Sequence, residues 1–599
     1  MQFTNILPRR TPRAHSNVQF VFRLQNIRRH ARPKVRKRGT SPTLPWEYAN
    51  FNLKILAEFH SLNPKTKTQL KLFIEQNFYP AGFDLKAVTP ADWRPSPALI
   101  DSIADEPLKA WIKDLNLKWT LLIKEFDHNL ICKECATSAF PLGNPFVVPG
   151  GRFREFYYWD TYWIVKGLLA CGMHQTVKGI IENFIEMMHQ FGFIPNCSRV
   201  YCLNRSQPPV FARIVMAYWK ETGDIEFLKR VFPALEQEYD FWMTFRAIEI
   251  PFQAAPAKKF ILNIYKASSY APRPESYRED KKNANKFHTP HLQQTFYDNM
   301  ASVAESGWDF STRWFFGKEL VSSDILRIVP LDLNSFMLKN EEMLGLFAKL
   351  LKQPEKASNY QTNAQKRVEA MNSLMWNSQT ASWNDWDMEA KVKRTDFYIS
   401  NLLPLLDNGL KGESAEEIIS KHQKQLFDYL AGIPISSPKK VYSFQQWDFP
   451  NAWAPYEWFL FTWLAKQPTR QKEALFIAQR WLNTCYCGYL RTGGYLFEKY
   501  HSEVLGQPGI GGEYIVQEGF GWTNGVVLEV VRKFPTLLHL EPSLKSVCAN
   551  GIQSAYLMQG KNDLVKIYWA FGVLCWLLFV SGACAVFYRC FAVKWVNEE

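Results

Sequence analysis

The sequence predicts an all-α body followed by a C-terminal transmembrane helix, and three observations carry that reading. Apolar residues recur at helical spacing through the central region, the Val/Ile/Thr alternation of half-buried strands is rare there, and 22 residues near the C-terminus run without a charge. Ala474, Ile477, Ala478, Trp481 and Leu482 follow the i, i+3, i+4, i+7, i+8 pattern of one buried helix face. Asp224 stands as a cap ahead of Ile225, Leu228 and Val231. Pro233 then starts a second run with Leu235, Tyr239 and Trp242, so the spacing predicts a helix–turn–helix. No sequence repeat stands out.

The apolar segment Ile567–Tyr588 would span roughly 33 Å as a helix, close to the thickness of a bilayer core. Tyr568, Trp569 and Tyr588 flank it as interfacial anchors would. Lys561 and Lys566 on one side balance Arg589 and Lys594 on the other, so positive charge does not choose an orientation. The expected organisation is a basic leader at 1–45, a body at 46–555, a linker at 556–566, the span at 567–588 and a tail at 589–599.

The net charge of +14 is misleading as a sign of nucleic-acid binding. Residues 1–40 hold 11 of the 71 Lys and Arg and no acidic residue, which leaves 60 basic against 57 acidic residues elsewhere. A body that close to neutrality is no polyphosphate surface, and no nucleic-acid partner is expected. The leader lacks the uninterrupted apolar stretch of a secretory signal. Cysteine use is scattered. Cys132 and Cys135 have the spacing of a redox pair or half a zinc site, without a second ligand pair at finger spacing. Cys197 and Cys202 have the spacing to close a small loop in an oxidising compartment. No metal or other cofactor is called for, and no obligate protein partner is evident.

Six stretches depart from helical periodicity and mix Gly or Pro with charged and aromatic residues. They are PGGRFREFYYWDTYW (149–163), NRSQPP (204–209), APRPES (271–276), ESGWDFSTRW (305–314), QWDFPNAWAP (446–455) and FEKYHSEVLGQPGIGGEYIVQEGFGWTNGV (497–526). Such mixtures suit a pocket where polar groups converge among apolar walls. Flat aromatic faces also suit sugar rings, and the chain holds 22 Trp. Glycoside hydrolysis needs two carboxyl groups on opposite sides of the sugar, one protonated and one ionised. Trp308 and Phe310 would desolvate Asp309 and favour its protonated form, whereas Lys499 would favour an ionised Glu498. Residue chemistry alone does not select these two from 57 acids.

The stretches PGGRFREFYYWDTYW and QWDFPNAWAP resemble the two diagnostic segments of the trehalases, glycoside hydrolase family 37, and the other stretches resemble that family's further active-site segments. The resemblance runs in order from about residue 50 to about residue 535. It implies an (α/α)6 barrel of six inner and six outer helices with the site in a cup at one end. It implies trehalose as substrate, split into two glucose molecules with inversion. By the same resemblance Asp309 is the general acid and Glu498 the general base, with carboxyls about 6.5–9.5 Å apart to admit a water. The substrate contacts it implies are Arg152, Trp159, Asp160, Asn196, Arg205, Gln207, Arg273, Glu275, Gly307 and Glu513. A guanidinium fork can bridge two adjacent hydroxyls and also hold a carboxylate, which gives the three arginines a physical role.

Two positions depart from the family pattern. His501 follows EKY where the family commonly has Asp, and Ile510 replaces a glycine of GGGGEY. If that position required φ > 0, a β-branched residue there would be strained. Relatives of the animal type also enter the secretory pathway, and many are tethered by a C-terminal span. The expected location is therefore a single-pass membrane protein contacting lipid through 567–588, with the body outside the cell. A cytosol-facing tail anchor is the alternative.

Overall fold

The computed structural model describes residues 55–550, except 63–65, 133–134, 253, 256, 411–413 and 439–442. The basic leader, the linker, the expected span at 567–588 and the tail lie outside the described residues. Among the described residues no helix is long and apolar enough to cross a membrane.

The chain folds mainly into helices. In order, the longer ones are α1 (Lys67–Asn77), α2 (Glu106–Leu122), α3 (Asp160–Ala170), α4 (His174–Phe191), α5 (Phe211–Thr222) and α6 (Ile225–Phe245). They are followed by α7 (Tyr277–Ala284), α8 (Pro290–Ser306), α9 (Leu331–Leu350), α10 (Pro354–Leu374), α11 (Ala454–Lys466), α12 (Gln471–Thr492) and α13 (Gly521–Lys533).

Burial separates these helices into two kinds. Every residue of α11 from Ala454 to Phe461 is buried, as is every residue of α13 from Gly521 to Leu528, and α3 and α5 behave alike. A helix apolar all round belongs inside. By contrast α10 buries one stripe, Tyr360, Ala364, Arg367, Ala370, Met371 and Leu374. The face expected on α12 is buried as read, through Ala474, Ile477, Ala478, Trp481 and Leu482.

The inner helices touch in a closed order. α3 contacts α5, α5 contacts α9, the short helix Leu403–Leu406 contacts both α9 and α11, and α11 contacts α13, which packs on α3. α10 covers α9 and α12 covers α11. The seam between α3 and α13 is a close backbone approach. A Cβ on Gly525 would stand 2.1 Å from the carbonyl oxygen of Trp163, and one on Gly167 would stand 2.5 Å from the Cα of Gly525.

One expectation is corrected. Residues Ile225–Phe245 form a single helix with Pro233 inside it, not a helix–turn–helix, although Asp224 caps it as expected by accepting from the Phe227 N–H. An internal proline costs about 3 kcal/mol in helix stability. Phe227, Leu228, Val231, Phe232, Leu235, Tyr239 and Trp242 are buried on both sides of it, and burying side chains of that size contributes about 1.5–3 kcal/mol each. Packing therefore outweighs the local break.

Strands are short and serve as fasteners. Asn451–Ala452 pairs antiparallel with Tyr500–His501, joining the QWDFPNAW stretch to the EKY stretch. Among the described residues three disulfides add to this: Cys132–Cys135, Cys197–Cys202 and Cys487–Cys548. Within the 305–314 stretch, the buried Arg313 bonds two carboxylates, Asp332 at 2.8 and 2.9 Å and Asp385 at 2.7 and 2.8 Å. Its guanidinium also lies 4.7 Å from the Trp308 ring and 4.3 Å from the Trp314 ring.

Candidate active site

All twelve residues singled out from the sequence line one cavity of about 570 Å³. These are Arg152, Trp159, Asp160, Asn196, Arg205, Gln207, Arg273, Glu275, Gly307, Asp309, Glu498 and Glu513. Part of the tryptophan content is used here, while more of it packs the core. Trp159, Trp447, Trp453 and Trp522 line the cavity, with Trp447 and Trp453 stacked at 3.9 Å and Trp308 stacked behind Trp447 at 5.2 Å.

The Asp309 loop leaves the end of α8 through Gly307, whose φ of 74° lies in the left-handed region. A Cβ there would meet the Trp159 ring at 2.9 Å, so both backbone and space call for glycine. The loop is mounted on residues 446–448. Gln446 donates from Nε2 to the Asp309 carbonyl, and the Trp447 N–H donates to the Phe310 carbonyl at 3.0 Å. The Asp448 carboxylate accepts from the Ser311 hydroxyl at 2.6 Å and from the Thr312 N–H. Burial pushes the Asp309 carboxyl up to about 6, against the opposing pull of Arg273 and Arg205. A carboxylic acid so placed keeps its proton near neutral pH better than a surface one does.

Glu498 shares the burial of Asp309 but has different partners. It is buried, accepts from the Tyr514 hydroxyl at 2.7 Å and from the Gln517 N–H at 3.4 Å, and its own carbonyl takes the Trp522 indole N–H at 3.0 Å. Burial raises its pKa, while Lys499 and the Tyr514 bond work to keep it ionised. Lys499 itself is lowered by burial and donates to the carbonyls of Ile510 and Gly511 at 2.9 and 3.0 Å. Asp160 opens α3, and burial raises its carboxyl with help from the charges of Glu498 and Asp309.

Arg205 and Arg273 are held by acids. Arg205 donates to Glu275 at 2.5 Å and to Asn204 at 3.1 Å. Burial would raise Glu275, yet Arg205, with help from Arg273, holds it below the usual carboxylate range. Arg273 forks onto Asp280 and lies 3.7 Å from Glu513, whose carboxyl burial pushes up to about 7. Arg152 lies over the Tyr514 ring at 4.6 Å, and its N–H donates to the Gln517 side chain at 2.8 Å. Asn196 donates to the Ser206 and Ala304 carbonyls, and Gln207 accepts from the Trp159 N–H at 3.0 Å.

Neither departure from the family pattern lines the cavity. His501 is paired into the short strand, and its Nδ1 accepts from the Glu503 N–H at 3.2 Å. Positive φ falls on Gly511 and Gly512, at 72° and 103°, and not on Ile510. Residues not singled out from the sequence also line the cavity, among them Phe153, Tyr157, Gln446, Tyr514 and Gln517. All five fall inside the quoted stretches, so the signal was the stretch itself.

A tryptophan-walled cup holding buried carboxyls and arginines suits the chemistry of a glycosidase. Comparison with known proteins narrows the class. The trehalase family model matches residues 48–535. A trehalase of Dictyostelium discoideum is 40% identical over 484 residues, covering 78% of this chain and 81% of that protein. A trehalase of Homo sapiens is 38% identical over 476 residues, covering 78% and 80%. The solved neutral trehalase of Saccharomyces cerevisiae shares the fold, with a TM-score of 0.54 at 22% identity over 69% of this chain and 76% of that one. The chain belongs to the trehalase family.

Proposed function

We propose that the chain hydrolyses α,α-trehalose to two glucose molecules with inversion. Asp309 protonates the leaving oxygen, and Glu498 takes a proton from the water that attacks the other face of the sugar. The observation that carries this reading is the placement of the two acids in one cavity: burial pushes Asp309 up to about 6, and Glu498, also raised by burial, accepts from a hydroxyl and an N–H that favour its ionised form. Arg152, Asn196, Arg205, Gln207, Arg273, Glu275 and Glu513 would partner the sugar hydroxyls. Asp160 would do the same from the α3 terminus, with Trp159 as an apolar wall and Gly307 leaving room beside it. Water is the only co-reactant this chemistry requires.

The closed order of inner helices supports an (α/α)6 barrel as the body, spanning about 46–555. ¹H NMR of the first turnovers on trehalose should show α- and β-glucose in equal amounts. Release of the α-anomer alone, or a preference for maltose or kojibiose in a disaccharide panel, would overturn the reading.

The three disulfides among the described residues support a working place in an oxidising compartment, with the body outside the cell, and the uncharged run 567–588 supports an anchor in lipid. Protease added to intact cells should then cut the body away. A body protected until the cells are lysed would place it in the cytosol.

A further inference from the structure

Arg273 is 1% exposed, yet it lines the cavity, so a single edge of its guanidinium is available to a ligand. The other edge is taken. Nε and Nη2 donate to the two oxygens of Asp280 at 2.9 and 2.8 Å, and the Arg273 backbone N–H donates to the same carboxylate at 2.9 Å. Asp280 lies on α7, is 2% exposed, and does not line the cavity. Phe310, the residue after the acid, lies 5.1 Å from the guanidinium.

We propose that Asp280 is a positioning residue for catalysis: from outside the cavity it aims Arg273 at the substrate and offsets that cation's charge on Asp309. This rests on reading Asp309 as the acid. A carboxylate gripping both backbone and side chain of one arginine leaves it no second rotamer, which is the geometric half of the role. The electrostatic half follows from the company Asp309 keeps. Arg273 and Arg205 favour its anion, and Glu275, Glu513, Asp160 and Tyr514 surround it from the other elements. Arg205 is already answered by Glu275. Without Asp280 the Arg273 charge would be answered only by Glu513 at 3.7 Å and by Glu275, which Arg205 already engages, and the acid would lose its proton at lower pH.

The test uses the full chain with Asp280→Asn, Asp280→Glu and Asp309→Asn, each assayed against pH on trehalose and on α-glucosyl fluoride. Fluoride leaves without a proton, so that substrate bypasses the acid. For Asp280→Asn the descending limb of kcat/KM on trehalose should move about one unit to lower pH, with roughly a tenfold loss above it. Hydrolysis of the fluoride should show no such shift. Asp280→Glu keeps the charge while disturbing the fork, so it should raise KM and leave the limb in place. A folded Asp280→Asn with an unmoved limb, or a limb displaced equally by Asp280→Glu, would overturn the proposal. If Asp280→Asn does not fold, an unmoved KM for Asp280→Glu would overturn it. An Asp309→Asn chain that keeps the descending limb on trehalose would instead remove the reading of the acid on which the proposal stands.

Discussion

Asp309→Asn is expected to cut trehalose turnover about a thousandfold, since a positioned general acid contributes about 10²–10⁴ in rate. The amide matches the carboxyl in size, and the loop is held through backbone groups of residues 309, 310 and 312 and the Ser311 hydroxyl, so folding should survive. The sign of the pH effect follows from the role. The acid works only while protonated, so wild-type kcat/KM should fall as pH rises through about 6, where burial places Asp309. That limb should vanish in the variant, while α-glucosyl fluoride remains a substrate. Measuring kcat/KM on both substrates from acid to alkaline pH decides the matter. Near-normal trehalose turnover in the variant would sink the assignment.

Glu498→Gln should cost a comparable factor for a different reason, because an amide cannot accept the proton of the attacking water. Here the fluoride gives no relief, since both substrates need the same water. Azide should, because it attacks without giving up a proton. Its product would be the β-glucosyl azide, with inversion preserved. The Gln side-chain oxygen can still accept from Tyr514, which keeps the packing around residue 498 intact. A variant that hydrolysed trehalose at the native rate, or gave the α-azide, would contradict the proposed base. The two variants thus separate acid from base by the chemistry that rescues each.

The helices and the ordered loops were readable in advance because both are local. Periodicity exposed the buried face of α12, and the mixing of glycine, tryptophan and charge marked the stretches that line the cavity. Pro233 misled because a local rule met a tertiary demand, the burial of Phe227 through Trp242 on one core. Asp280 was invisible for a related reason. It sits in YREDKKNA, a segment that looks fully solvated, and only Arg273 folding back on it buries the carboxylate. The Cys487–Cys548 bridge spans 61 residues, a distance over which spacing carries no information. Tyr514 was quoted within a stretch but gained meaning only when its hydroxyl met Glu498.

The glycine seam between α3 and α13 has a consequence for biosynthesis. Residues 167 and 525 must meet before the ring is shut, so a chain still on the ribosome at residue 500 has made its acid, its arginines and most of its wall but has no closed cup. Contacts that far apart in sequence form late. Competence is therefore expected only after residue 525 has joined residue 167, and the earlier segments wait on that partner.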